Sequence, residues 1–231
     1  IVYPNHGAGS ACNKNMSKET TDTLGNQKRT NYALRPDMTE DEFVDELLTG
    51  LTTPPGYFPK NVIMNLMGYQ SLDDVMKKGK HPLTADQFEM IAEQTQALIL
   101  DTRNANEYAK AFIPNSINIG IDGSFASWVG EMVSKKKKKI LLVTDFGREE
   151  ECMIRLSRVG YDGTIGYLEG GFDSWKNAGK QTDSFRRIIG EQLEQILQTE
   201  DLLLFDVRKR SEFDSEHLID SENIPLNQLL S

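Results

Sequence analysis

The sequence predicts an α/β fold, a mostly parallel sheet with helices on both faces, and three observations predict it. Short apolar runs such as Ala97-Leu-Ile-Leu100 and Ile140-Leu-Leu-Val143 read as strands buried on both sides, as in parallel sheets. Segments at helical spacing separate these runs, as alternating strands and helices require. One motif also occurs twice: Asp101-Thr-Arg103, Glu107-Tyr108 and Asn118-Ile119 recur as Asp206-Val-Arg208, Glu212-Phe213 and Asn223-Ile224. The register holds upstream, where Ala85-Asp-Gln-Phe88 and Ile91 match Gly190-Glu-Gln-Leu193 and Ile196. The two copies lie 105 residues apart (Asp101 to Asp206), so one structural unit is used twice. Ser231 corresponds to Ala126 of the first copy, and the second unit is therefore expected to stop midway.

In chain order, residues 1–35 are rich in Gly, Asn, Ser and Thr and show little periodicity after an opening strand, Ile1-Val-Tyr3. Thr39-Glu-Asp-Glu42 is a capping box, in which the hydroxyl and carboxylate each accept an otherwise unpaired N–H. Phe43, Val44, Leu47, Leu48 and Leu51 then follow at helical spacing, until Thr53-Pro-Pro-Gly56 ends the helix. A second short helix is expected over residues 61–67 and a third over 71–79, and a boundary near residue 80 precedes Pro82. Beyond it Thr84 caps a helix over Phe88 and Ile91, and Ala97-Leu-Ile-Leu100 is a strand ending in Asp101. Ser116-Ile-Asn-Ile119 is a short extended piece, and Ile140-Leu-Leu-Val143 is the central strand. A helix over 149–159, the strand Thr164-Ile-Gly-Tyr-Leu168 and a helix over 172–178 complete the unit.

The chain has 231 residues, long for one domain and comfortable for two. With 38% hydrophobic and 26% charged residues it reads as soluble and globular, and no apolar run reaches the roughly 18 residues of a membrane span. The apolar N-terminus lacks a basic leader and reads as a strand exposed by truncation, not as a signal peptide. A net charge of −9 argues against nucleic acid, whose phosphates need a positive footprint. Lys135 to Lys139 form a basic run just before an apolar strand and are read as a solvated turn. Two cysteines 140 positions apart give no disulfide framework and fit a reducing cytoplasm, the expected location.

The Asp-x-Arg-x-x-x-Glu-Tyr motif is accompanied by Ile113-Pro-Asn-Ser-Ile-Asn118, a loop glycine at Gly147, and Leu168-x-Gly-Gly171 with Trp175 and Ala178-Gly179. This combination resembles the rhodanese family, over about residues 83–180 for one full copy and 188–231 for half of another. The resemblance implies a rhodanese-like domain at 81–182 and the first half of a second at 183–231. In that family a cysteine in the loop after the central strand accepts a sulfane sulfur. Backbone N–H groups of the loop lower its pKa and hold the persulfide. The usual loop is Cys-x-x-Gly-x-Arg. Here Thr144, Asp145, Phe146, Gly147, Arg148 and Glu149 form a degenerate version. Thr144 falls at the nucleophile position, with Asp145 the nearest alternative, and neither side chain carries a sulfane sulfur. Asp145, Glu149, Glu150 and Glu151 repel anionic donors at the start of the next helix. Cys152 reads as a small buried core thiol. In the second copy His217 stands where the family often has Gly-His-Ile, and the corresponding loop would fall near position 249.

Ile1-Val-Tyr-Pro-Asn-His6-Gly-Ala-Gly-Ser10, with Thr23-Leu-Gly-Asn-Gln-Lys-Arg-Thr-Asn31 and a capping-box helix, resembles the C-terminal end of a metallo-β-lactamase fold. The similarity is to its glyoxalase II and persulfide dioxygenase branch, and it implies that residues 1–80 are that domain's C-terminal segment. His6 matches a histidine that ligates the second metal in glyoxalase-type members. The His-x-His-x-Asp-His ligand set is missing, and a lone imidazole makes no zinc or iron site. His6 is therefore expected to be vestigial, or to act behind the ligands. Fusions of a persulfide dioxygenase-like domain with two rhodanese units carry a Gly-Ala-Gly-Ser-Ala-Cys run, matched here through Cys12. That likeness makes Cys12 the candidate persulfide carrier, with Lys14 and Lys18 close in sequence to favour a thiolate. A structural thiol in an irregular loop is the alternative. Lys28 and Arg29 fall where glyoxalase-type relatives bind anionic thiols, and surface solvation accounts for them equally well.

The resemblance as a whole implies a persulfide-handling enzyme, a persulfide dioxygenase joined to a sulfurtransferase, of which this chain is a catalytically incomplete part. No cofactor is expected in this chain, and iron is expected in a metal domain preceding it. The implied partner is a low-molecular-weight thiol persulfide, with no nucleic acid and no membrane, and with homo-oligomers forming through the metallo-β-lactamase part. Two other readings stand beside it: a glyoxalase II-like thioester hydrolase fused to rhodanese units, and a non-catalytic rhodanese-like scaffold or partner-binding module.

Overall fold

The computed structural model describes residues 1–4, 19–49, 57–133 and 139–229. The chain divides into two compact units, Ile1–Pro54 and Pro55–Ser231. In the first, α1 (Leu24–Thr30) and α2 (Glu40–Leu48) bury no residue fully. An isolated antiparallel bridge joins Val2 to Asp22. The Asp22 carboxylate accepts from the side-chain amides of Asn26 and Gln27, fixing the entry to α1, a helix the composition of residues 1–35 conceals. The capping box of α2 is formed: Thr39 Oγ1 accepts from the Glu42 N–H at 3.3 Å, and Glu42 Oε2 accepts from the Thr39 N–H at 2.8 Å.

The second unit opens with α3 (Phe58–Met67) and α4 (Leu72–Gly79), followed by β1 (Pro82–Leu83), α5 (Ala85–Thr95) and β2 (Leu98–Asp101). Next come α6 (Ala105–Lys110), β3 (Ile117–Asn118), α7 (Phe125–Met132), β4 (Ile140–Val143), α8 (Glu149–Ser157), β5 (Thr164–Leu168) and α9 (Gly171–Asn177). The five strands form one sheet in the order β1-β5-β4-β2-β3, and every pair is parallel. This is the α/β architecture expected from the apolar runs.

β4 lies at the centre, and its pleat divides the core. Ile140 and Leu142 pack with α7 and α8 through Phe125, Val129, Met153 and Leu156. Leu141 and Val143 pack on the other face with Phe88 of α5 and Trp175 of α9. An uninterrupted apolar strand is required here because both faces are covered. α4 also belongs to this packing: a Cβ added at Gly79 would lie 2.9 Å from Met153 Sδ and 3.2 Å from Thr164 Cβ. Residues 57–79 therefore pack with the sheet, although the sequence grouped them with residues 1–56.

The repeated motif is a structural staple. The Asp101 carboxylate accepts from Arg103 Nε at 3.0 Å and Nη2 at 2.6 Å, and from the Arg103 backbone N–H at 3.0 Å. The Asn118 side-chain amide donates to the carbonyls of Asp101 and Arg103 at 3.0 and 2.9 Å, tying the ends of β2 and β3 together. In the second copy α10 (Gly190–Leu197) precedes β6 (Leu204–Asp206), α11 (Arg210–Ser215) and β7 (Ser221–Asn223). β6 and β7 pair in parallel. Arg208 meets Asp206 at 3.0 and 2.6 Å, and Asn223 donates to the carbonyls of Asp206 and Arg208 at 2.9 and 3.0 Å.

The local geometry is thus the same, and the surroundings differ. Leu98 and Leu100 are 2% and 0% exposed, whereas their counterparts Leu203 and Phe205 are 87% and 52% exposed. Burial pushes the Asp101 carboxyl up against the pull of Arg103, while at Asp206 the hydrogen bonds from Arg208 prevail and hold the carboxyl low. Removing one partner of a buried pair strands the other charge, at a cost of about 3–5 kcal/mol, whereas an exposed pair contributes about 1 kcal/mol or less. Arg103→Met is expected to collapse hydrogen-exchange protection of β2, and Arg208→Met to leave β6 almost unchanged. Equal losses would show that burial does not govern the staple.

Candidate functional site

The degenerate loop runs from the carboxyl end of β4 to α8, the end of a parallel strand where such folds place their chemistry. Thr144 is 1% exposed, and its hydroxyl has no hydrogen-bond partner among the described residues. Its carbonyl faces Gly171, where an added Cβ would approach to 2.9 Å. Asp145 is exposed, and Phe146 stands 89% exposed at the tip. Gly147 turns the chain at φ +83°, a conformation that L side chains rarely adopt.

The loop amides are used within the loop itself. The Gly147 N–H donates to Glu149 Oε1 at 3.2 Å, and the Arg148 N–H to the Asp145 carbonyl at 3.1 Å. A carboxylate of this chain thus occupies the glycine amide of the loop. Arg148 is drawn away from the loop. Its guanidinium binds Asp122 through Nη1 and Nη2 at 3.2 and 2.9 Å, and Glu151 through Nε and Nη2 at 3.0 and 3.2 Å. These contacts hold the Asp122 and Glu151 carboxyls below their ordinary range. Glu149, Glu150 and Glu151 fill the first turn of α8. The loop therefore presents a hydroxyl that is buried and two amides, of Gly147 and Arg148, that are committed. It offers no nucleophilic sulfur.

Cys152, on α8 below the loop, is 0% exposed. Its Sγ lies 3.3 Å from Thr102 Oγ1, which also reaches the Val143 carbonyl at 3.2 Å. Burial pushes this thiol up to about 11. The roles of Thr102 and Asp122 carried no sequence signal, since each depends on a side chain 26 or more positions away.

The other expected site residues are not brought to this loop. His6 and Cys12 lie outside the described residues. Lys28 and Arg29 are exposed in the last turn of α1, where their charge favours the helix dipole. Among the described residues no three His, Cys, Asp or Glu side chains form a group able to hold a metal ion. No helix of the described residues is long and apolar enough to cross a membrane.

Residues 84–178 match the Rhodanese-like domain family, the region built around the loop and the first staple. A solved structure described as a metallo-beta-lactamase from Staphylococcus aureus subsp. aureus COL is 29% identical, with a TM-score of 0.54. The match covers 72% of this chain and 44% of that one, so the chain spans less than half of the protein it resembles. A thiosulfate sulfurtransferase from Pseudomonas aeruginosa is 20% identical, with a TM-score of 0.38, over 69% of this chain and 37% of that one. No curated protein matches the chain. The class is therefore defined by its fold: an α/β chain carrying a Rhodanese-like domain at residues 84–178.

Because the Cys152 thiol titrates higher folded than unfolded, its contribution to stability is fully present below the unfolded value of about 8.5. That contribution is lost as pH rises toward about 11. The linked free energy is about 3 kcal/mol. Denaturation curves of the protein and of Cys152→Ala are expected to converge as pH rises through this window. Parallel curves would show that the thiol is not held neutral by burial.

Proposed function

We propose that the chain is the C-terminal part of a metallo-β-lactamase-fold and rhodanese fusion that handles low-molecular-weight thiol persulfides. Residues 1–80 supply the end of the metal domain, of which 57–79 pack on the sheet of the next unit, 81–182 a rhodanese-like unit without sulfur-transfer chemistry, and 183–231 the first half of a second unit. The partial match to the Staphylococcus aureus metallo-beta-lactamase supports the fusion, because it extends over 72% of this chain. The observation that carries the reading of the first unit is the loop after β4. Thr144, or Asp145 as the alternative, falls at the sulfur-accepting position of the resembling family, and Glu149 takes the Gly147 N–H. A hydroxyl or a carboxylate forms no persulfide, so sulfur does not pass through this loop.

On this reading iron is held by ligands preceding Ile1, and Cys12 carries the persulfide toward it. The first rhodanese-like unit then acts as a spacer. Sulfur transfer to an acceptor such as sulfite belongs to a completed second unit.

The chain as given is expected to form no thiocyanate from thiosulfate and cyanide. The longer protein is expected to bind one iron and to consume oxygen only when a thiol persulfide is supplied. Thiocyanate production by this chain would overturn the reading of the loop. Two bound metals with thioester cleavage in the longer protein would replace the dioxygenase by a hydrolase.

A further inference from the structure

The loop end of the Pro55–Ser231 unit gathers Asp122, Asp145, Glu149, Glu150 and Glu151, answered by Lys80, Arg148 and Arg155. At the other end, where β4 and β5 begin, a cleft of about 590 Å³ opens between α3, the turn at residues 68–70 and the segment 159–163. A second cleft of about 420 Å³ adjoins it, and the two share Met64, Tyr69, Gln70 and Asp162. Lys60 and Lys78 line the first and Arg158 the second, against the single carboxylate of Asp162. Lys139 immediately precedes Ile140, which lines the first cleft. In a chain of net charge −9 this concentration of cations marks a place where an anion is favoured.

The groups there are also free to act. Tyr69 is 71% exposed, and its ring stacks on no other among the described residues. The Arg158 guanidinium and the Asp162 carboxylate have no hydrogen-bond partner among the described residues. Among the described residues Lys78 is tethered only to Gln70 Oε1, at 3.1 Å. Lys60 is committed: it donates to the Gly160 carbonyl and lies 5.7 Å from the centre of the Tyr161 ring, so it shapes the floor. Asp162 is half-buried; burial raises its carboxyl while Lys60 and Lys78 pull it down.

A stacking ring, two available cations and one partly desolvated acceptor match a molecule that carries a planar ring with N–H donors and an anionic tail. We propose that this cleft binds a nucleoside monophosphate. The base lies on Tyr69 and donates its N–H groups to Asp162, and the phosphate is met by Lys78 and Arg158. Guanine, with adjacent ring and exocyclic N–H groups, is the base best suited to a carboxylate. The proposal is independent of the sulfur chemistry, since the cleft is at the opposite end of the sheet from the loop.

Titration calorimetry with GMP on the whole chain tests this, with guanosine, ribose 5-phosphate and inorganic phosphate as comparisons. GMP is expected to bind more tightly than any of the three. Tyr69→Ala and Lys78→Gln are each expected to weaken GMP by about tenfold, the loss of one stacking or charged contact. Both positions are at the surface, and an unchanged circular dichroism spectrum excludes unfolding as the cause. Asp162→Asn is expected to abolish any preference for GMP over AMP. Absence of GMP binding at millimolar concentration, equal binding of inorganic phosphate or guanosine, or unchanged binding by Tyr69→Ala would each overturn the proposal.

Discussion

The ion pair of Asp101 with Arg103 is the constraint on which the rest of the Rhodanese-like unit depends. It is buried at the end of β2, and only multiple charge-assisted bonds make such burial tolerable. Arg103 supplies them and also extends beyond the pair. Its guanidinium donates to the Ala111 carbonyl at 3.0 Å and stacks 3.9 Å over the Phe172 ring. One side chain thus joins the end of β2, the end of α6 and the start of α9. Asn118 completes the junction from β3. The backbone then continues the pattern, since the Thr102 N–H reaches the Val143 carbonyl and the Ile121 N–H the Thr102 carbonyl. The loop after β4 starts from that fixed point.

The character of the loop follows from what is attached to this frame. Thr102 sends its hydroxyl toward Cys152, so the sulfur is buried under the loop instead of standing within it. Arg148 is turned toward Asp122 and Glu151, and Glu149 turns back onto Gly147. Carboxylates therefore engage the loop's glycine amide and its arginine. The second copy shows the staple in isolation from such a frame. Its internal distances are preserved, although Leu203 and Phe205 remain uncovered. The motif's geometry is thus local, held by its own hydrogen bonds, and the core adds burial in the first copy only.

Much of this was legible in the sequence, for identifiable reasons. β4 and β5 are wholly or alternately apolar, and Thr39 and Thr84 carry capping boxes, all local signals that need no partner. The repeat revealed which residues work together, because only a structural reason keeps Asp, Arg and Asn at fixed offsets in two places. Other elements escaped. β1 is two residues long and exists through pairing with Tyr167 and Leu168. α7 was not read as a helix, although Phe125, Val129 and Met132 lie on one helical face. The attachment of α3 and α4 to the sheet depends on close approaches such as Gly79 to Met153, which no local pattern encodes. The partnership of Arg148 with Asp122 is of the same kind.

The Rhodanese-like unit holds its only thiol, Cys152, out of reach of sulfur chemistry. Mass spectrometry after incubation of the native chain with a sulfane donor, with peptide-level assignment of modified cysteines, tests it most directly. No added sulfur is expected on Cys152 until denaturant is present. A persulfide on Cys152 in the folded protein would contradict it.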